Sequence, residues 1–239
     1  MFTRKLSKQA KFMMLFIVVP LYFYCGSIIV SALLKFGILE LGMTLDENSL
    51  TAYLNFIIDS LFLLLGFWIF KDQLKEQMKD FMKDWKMNLL YGCVIGFVLI
   101  FIANYIGSLF TLFFVGGGSS QNQQMLETII MKHPLLMIGT TVFLAPLFEE
   151  IFFRGTLFAW LYELHPYVAH LVSSFVFGFV HVMNSVLSGQ LSEMFQIFSY
   201  MFMGFVLSQL YEKRNNIYVP ILTHMMNNLV SLLIVLILS

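Results

Sequence analysis

Seven long apolar runs decide what this chain can become. They lie at about 12–35, 53–70, 88–115, 134–153, 167–188, 195–211 and 217–238. Each reaches or approaches the roughly 20 residues that carry a helix across a hydrocarbon core. In lipid every backbone polar group must be satisfied within the protein, so continuous apolar runs of this length are helices, and the alternation of a β-barrel is absent. The fold class that follows is all-α: a polytopic membrane bundle of about seven transmembrane helices, eight at the outside. Composition agrees. The chain of 239 residues is 59% hydrophobic and 12% charged, against about 45–50% and 25% in soluble domains.

Fourteen Lys and Arg balance fourteen Asp and Glu, so the basic footprint of a nucleic-acid binder is missing and nucleic-acid partners are set aside. The two cysteines, Cys25 and Cys93, sit inside apolar runs, where a thiol is a small hydrophobe rather than part of a disulfide framework. Cationic residues of the short loops set orientation. Arg4, Lys5, Lys8 and Lys11 precede the first run, and Lys71, Lys75, Lys79, Lys83 and Lys86 follow the second, whereas Glu40, Asp46 and Glu47 lie between them. The N-terminus, 71–86, Arg154 and Lys213–Arg214 are thereby assigned to the cytoplasm, and 116–124 and the C-terminus to the outside. The first run is too long and lacks the cleavage site of a secretory signal, so it is expected to stay as a membrane helix. Within 71–86, Leu74, Met78, Phe81, Met82 and Trp85 form the stripe of an amphipathic helix lying in the cytoplasmic interface. No Pro-rich linker divides the chain. It reads as one integral membrane domain, with N-terminal helices over 1–133 and a chemistry-bearing core over 134–239.

Ionisable residues inside spans are costly and rare, which makes them functional candidates. Here they cluster in three segments: Glu149, Glu150 and Arg154 on the fourth run, His181 on the fifth, His224 and Asn228 on the seventh. Residues four apart share a helix face. Glu150 therefore pairs with Arg154, Glu149 is left free, and His224 and Asn228 project together. A carboxylate and a histidine converging on water form a general base, and a second histidine with an amide holds an oxyanion. The same groups admit a zinc reading in which Glu149, His181 and His224 are ligands, although no H-E-x-x-H imposes it. Interhelical glue is the bland alternative for one such residue. Five on three spans, at this spacing, favour a site.

The set Glu149-Glu150-x-x-x-Arg154, Phe177-x-x-x-His181 and His224-x-x-x-Asn228 resembles the three motifs of the CPBP family, the CAAX-protease and bacteriocin-processing intramembrane endopeptidases also called Abi. The resemblance covers about 134–232. It implies a helical bundle with a cavity open to the cytoplasmic side, in which hydrophobic or lipidated peptides are cut. It also implies roles: Glu149 as base assisted by His181, and His224 with Asn228 steadying the oxyanion. Many members are named metalloproteases, while the eukaryotic relatives resemble metal-free glutamate proteases. No cofactor is required by the sequence, and a divalent metal such as zinc is the one candidate. Expected partners are the lipid bilayer and a hydrophobic or lipidated substrate, in a bacterial plasma membrane. A non-catalytic adaptor regulating a sensor kinase or cell-wall enzyme is the competing reading, and a transporter is disfavoured by the lack of an inverted repeat.

Other polar residues have blander readings. Asp59 lines a cavity or bonds Asn55, Asn104 or a neighbouring helix. His170 is read as a helix-end histidine at the interface, Asn184 and Asn227 as orienting neighbours of the motif residues, and His133 and His165 as ordinary surface residues.

Overall fold

The computed structural model describes residues 7–22, 28, 31–32, 35–36 and 46–238. A short helix α1, Lys8–Met13, runs into a π-helical stretch, Met14–Val18. The main body then comprises α2 (Glu47–Lys83), α3 (Trp85–Val115), α4 (Gln121–Lys132), α5 (Pro134–Tyr162), α6 (Pro166–Leu187), α7 (Leu191–Arg214) and α8 (Tyr218–Leu238). Among the described residues six helices, α2, α3 and α5 to α8, are long and apolar enough to cross a membrane. They correspond to the second through seventh apolar runs. Part of the first run, with Cys25, falls outside the described residues, as does Glu40, so the count of seven rests on the sequence.

The 37 residues of α2 make a rod of about 55 Å, well beyond the ~30 Å hydrocarbon thickness. Asp46 caps its start, accepting from the backbone N–H of Asn48 and Ser49. The stripe expected to lie flat in the interface over 71–86 is instead the far end of this rod. Leu74 and Phe81 are buried, Tyr218 donates to the Leu74 carbonyl (3.1 Å), and Gln77 bonds both Asn216 and Ile217 (2.7 Å each). Leu74 and Phe81 of the apolar face thus pack toward the start of α8, while Met78, Met82 and Trp85 stay exposed.

Two close approaches position the site. A Cβ added at Gly178 would come within 2.8 Å of the Ile197 carbonyl, and one at Gly204 within 3.1 Å of the Ser174 Cα. Small residues of this kind let helix backbones touch in a membrane, and here they hold α6 against antiparallel α7. Likewise Gly96 leaves no room for a side chain against Thr223, whose hydroxyl donates to the Gly92 carbonyl at 2.7 Å. That anchor on α3 fixes α8 one residue before His224.

α5 departs from α-geometry twice, with π-helical stretches Ile138–Leu144 and Phe153–Phe158 around the α-helical Ala145–Phe152. Pro146 gives the first a cause. Proline has no N–H for an i→i−4 bond and its ring clashes with that carbonyl, so the ladder widens just before it.

Candidate active site

Glu150 and Arg154 lie one turn apart on α5 and are fully buried. Arg154 donates to Glu150 Oε1 and to the Gly204 carbonyl, each at 2.9 Å, so one guanidinium ties α5 to α7. Its face also stacks over Phe177, 4.7 Å from the ring centroid, a favourable cation–π placement. The pairing expected from the i, i+4 spacing is therefore present.

Glu150 has a second partner that no spacing indicated. Its Oε1 lies 3.0 Å from Nδ1 of His224, and the other imidazole nitrogen, Nε2, points at Glu149 Oε2 at 3.8 Å. A carboxylate that already accepts from arginine accepts here too, which puts a hydrogen on His224 Nδ1 and turns Nε2 to the cavity. Rather than standing across the site from the glutamates, His224 sits between them. Oε2 of Glu149 is buried and has no hydrogen-bond partner among the described residues, and 3.8 Å to Nε2 is too long for a direct bond.

His181, about four turns into α6, donates from Nδ1 to the Phe177 carbonyl at 2.7 Å. That bond fixes its tautomer and frees Nε2. Its ring stacks on Tyr200 of α7, with centroids 4.4 Å apart. Phe177 stands between the two imidazoles, 4.6 Å from His181 and 5.8 Å from His224. Asn228, one turn beyond His224, donates to the Thr141 carbonyl at 2.8 Å, inside the first π-helical stretch of α5. Asn227 accepts from Asn104 (3.1 Å) and donates to Asn228 (3.2 Å), the orienting place expected of it.

Glu149, His181, His224 and Asn228 all line one cavity of about 720 Å³. Its walls come from both parts of the chain: Tyr22, Asn55, Asp59, Asn104 and Asn122 contribute beside the later helices. Tyr22 and Tyr200 are the residues that the sequence reading missed. Tyr22 donates to Asp59 Oδ1 at 2.9 Å and lies 4.7 Å from the Phe148 ring, so Asp59 takes its bond from neither Asn55 nor Asn104. The hydroxyl of Tyr200 meets Ser120 at 2.7 Å. The only signal available for either was a polar tip inside an apolar run.

Among the described residues no three His, Cys, Asp or Glu side chains are disposed to hold a metal ion. Two of the four imidazole nitrogens are already spent, on the Phe177 carbonyl and on Glu150. The Nε2 atoms of His181 and His224 stay uncommitted, with the opposite nitrogen of each held by a carbonyl or a carboxylate.

His170 corrects its assignment. It is buried, not interfacial, with Nδ1 at 2.7 Å from Ser208 and Nε2 at 2.8 Å from Glu212. His133 is half-buried and bonds Ser49 at 2.7 Å; His165 is exposed, as expected.

With this geometry in place, comparison with known proteins is decisive for the later half of the chain. Residues 131–230 match the family described as type II CAAX prenyl endopeptidase Rce1-like. Over that segment the chain is similar to this family. It is 34% identical over 123 residues to a Bacillus subtilis (strain 168) protein named "Putative membrane peptidase YdiL", covering 51% of this chain and 46% of that one. It is 26% identical over 121 residues to the "UPF0177 protein YvdC" of Lactococcus lactis subsp. lactis (strain IL1403), covering 51% and 43%. The aligned part thus spans a little under half the length of each relative. No solved structure matches. The matched segment contains Glu149, His181, His224 and Asn228, whereas Tyr22, Asn55, Asp59, Asn104 and Asn122 lie before it.

Proposed function

We propose that the chain is an intramembrane endopeptidase that hydrolyses peptide bonds in hydrophobic, lipidated or membrane-associated substrates. One observation carries the reading: Glu149 presents an unpartnered, buried carboxylate oxygen to a cavity, beside an imidazole whose far side is fixed by the Glu150–Arg154 pair. Unsatisfied buried polar atoms are expensive, and a CPBP-like segment that keeps one facing a cavity supports a catalytic use for it.

In the proposed reaction Glu149 takes a proton from water as the water oxygen bonds to the substrate carbonyl carbon. His181 offers Nε2 as a second acceptor, since its Nδ1–H is committed to Phe177. The carbonyl oxygen becomes an oxyanion and is held from the His224 Nε2 side of the cavity, together with the amide hydrogen of Asn228 that is not used on Thr141. Collapse breaks the C–N bond, and Glu149 returns its proton to the leaving nitrogen, giving a carboxylic acid and an amine. The chain is an integral membrane protein; its cationic loops support a cytoplasmic N-terminus in a bacterial plasma membrane.

The test is cleavage of a quenched fluorescent hydrophobic peptide by detergent-purified protein, comparing the parent with Glu149→Gln, each with and without a strong chelator. Cleavage that needs Glu149 and survives the chelator is expected. Loss with chelator and recovery with zinc would move Glu149, His181 and His224 into a ligand set. A Glu149→Gln protein that cuts at the parent rate would refute the role given to Glu149, and full biological effect without any cleavage would favour the adaptor reading.

A further inference from the structure

The cavity has a floor and a rim at opposite ends. Its deepest lining residues, Phe148, Phe153 and His224, are buried, whereas Gly118, Ser119, Met125 and Asn184 are exposed. No residue from 154 to 179 or from 204 to 223 lines it. Those two stretches contain the α5–α6 and α7–α8 turns, so the cavity is closed toward that end of the bundle and opens at the other, where 116–133 joins α3 to α5.

The two ends differ in charge. The closed end has the five lysines of 71–86 with Lys213 and Arg214, and the open end has Lys132 among Asp46, Glu127 and Glu193. Cationic short loops stay in the cytoplasm, so the open end is the outer one. On the orientation those loops imply, the opening lies opposite to the cytoplasmic side that the resemblance suggests. The wall between rim and floor is rich in carboxamides: Asn55, Asn104, Asn122, Gln123, Asn184 and Asn227. A carboxamide both donates and accepts, which matches the alternating N–H and C=O of an extended peptide backbone and leaves an isoprenyl chain facing unpaired polar groups.

We propose that this cavity is entered from the outer face of the membrane and that its carboxamide wall binds an extended, unlipidated stretch of an exported peptide. The substrate class deepens the endopeptidase reading and rests on it; the direction of entry does not.

The direction is tested in spheroplasts that make the full chain with Cys25→Ala and Cys93→Ala, adding either Ser119→Cys at the rim or Lys79→Cys on the exposed far end of α2. A membrane-impermeant maleimide is expected to label Ser119→Cys in intact spheroplasts and Lys79→Cys only after permeabilisation. The reverse pattern overturns the outer opening, whatever the catalytic outcome. The substrate class is tested on purified protein with one peptide, plain and C-terminally farnesylated. The plain form is expected to be cut with equal or higher kcat/KM, and Asn122→Leu and Gln123→Leu to raise its KM by about tenfold with kcat held. A preference of about tenfold for the farnesylated form overturns it. If the parent cuts neither peptide, the substrate proposal falls together with the endopeptidase reading, while the labelling still decides the direction of entry.

Discussion

Two polar clusters sit along the same pair of helices, α6 and α7, and they differ in how completely they are satisfied. At the closed end His170 spends both nitrogens, on Ser208 and Glu212, and Glu212 accepts in turn from Tyr162 at 2.6 Å. About three helical turns away, His181 spends one nitrogen and lines a cavity shared with Glu149, one of whose oxygens has no partner among the described residues. Both clusters are a histidine with glutamate in an apolar bundle, and a sequence treats them alike. The difference is that the first is closed in on itself, as buried polar groups are when they hold helices together, and the second keeps donors and acceptors in reserve.

That contrast can be broken by substitution. Glu149→Gln should have the largest effect on chemistry, lowering kcat by about 10²–10⁴-fold, the usual worth of a positioned base, with thermal stability of the purified protein unchanged. Arg154→Met should show the largest effect on stability. It leaves Glu150 buried without its guanidinium partner, a loss of about 3–5 kcal/mol, read as a lower denaturation midpoint in detergent and a loss of extractable folded protein. His170→Ala should cost about 1–3 kcal/mol through the stranded Ser208 and Glu212 groups, yet leave cleavage per folded molecule intact. If His170→Ala instead abolished cleavage in a folded protein, the division between a holding cluster and a working one would fail.

The smallest effect concerns the start of α2. The Ser49 hydroxyl, and then the Lys132 ammonium at 2.9 Å, hold the Asp46 carboxyl well below the usual carboxylate range. A depressed folded-state pKa stabilises above the unfolded value and is lost as pH falls toward the folded one. Amide-exchange protection of Ser49 and Leu50 should therefore be steady near neutrality and decline only below the ordinary carboxylate range. Asp46→Asn, which keeps a capping oxygen but no charge, should flatten that dependence.

What was legible in the sequence follows from which physics is local. Six of the apolar runs are spanning helices because the hydrocarbon thickness sets their length. The Glu150–Arg154 pair follows from helix periodicity alone. Contacts between helices were not legible. His224 reaches Glu150 only because Gly92 and Gly96 let α8 settle on α3, and His170 is buried only because Gly178 and Gly204 close α6 on α7. The stripe over 71–86 was read correctly as helical and wrongly as lying in the interface, since amphipathicity marks a buried face without naming whether lipid or protein covers it. The π-helical stretches of α5 gave no sign beyond Pro146, and they carry Thr141 and Arg154, two of the groups that meet the site.

The charged triplet of α5 also bears on how the chain is made. A helix that enters a bilayer with two glutamates and an arginine near its middle meets an unfavourable insertion free energy of about 2.5–3.5 kcal/mol for each charge held at the centre. Its relief arrives from Gly204 on α7 and His224 on α8, which the ribosome synthesises roughly 50 and 70 residues after Arg154. Until then α5 is a poorly retained segment, and a chain stopped before α8 presents the membrane's quality-control proteases with an unshielded acidic pair. The grouping to which the chemistry is assigned is in this way also a checkpoint that the finished protein must have passed.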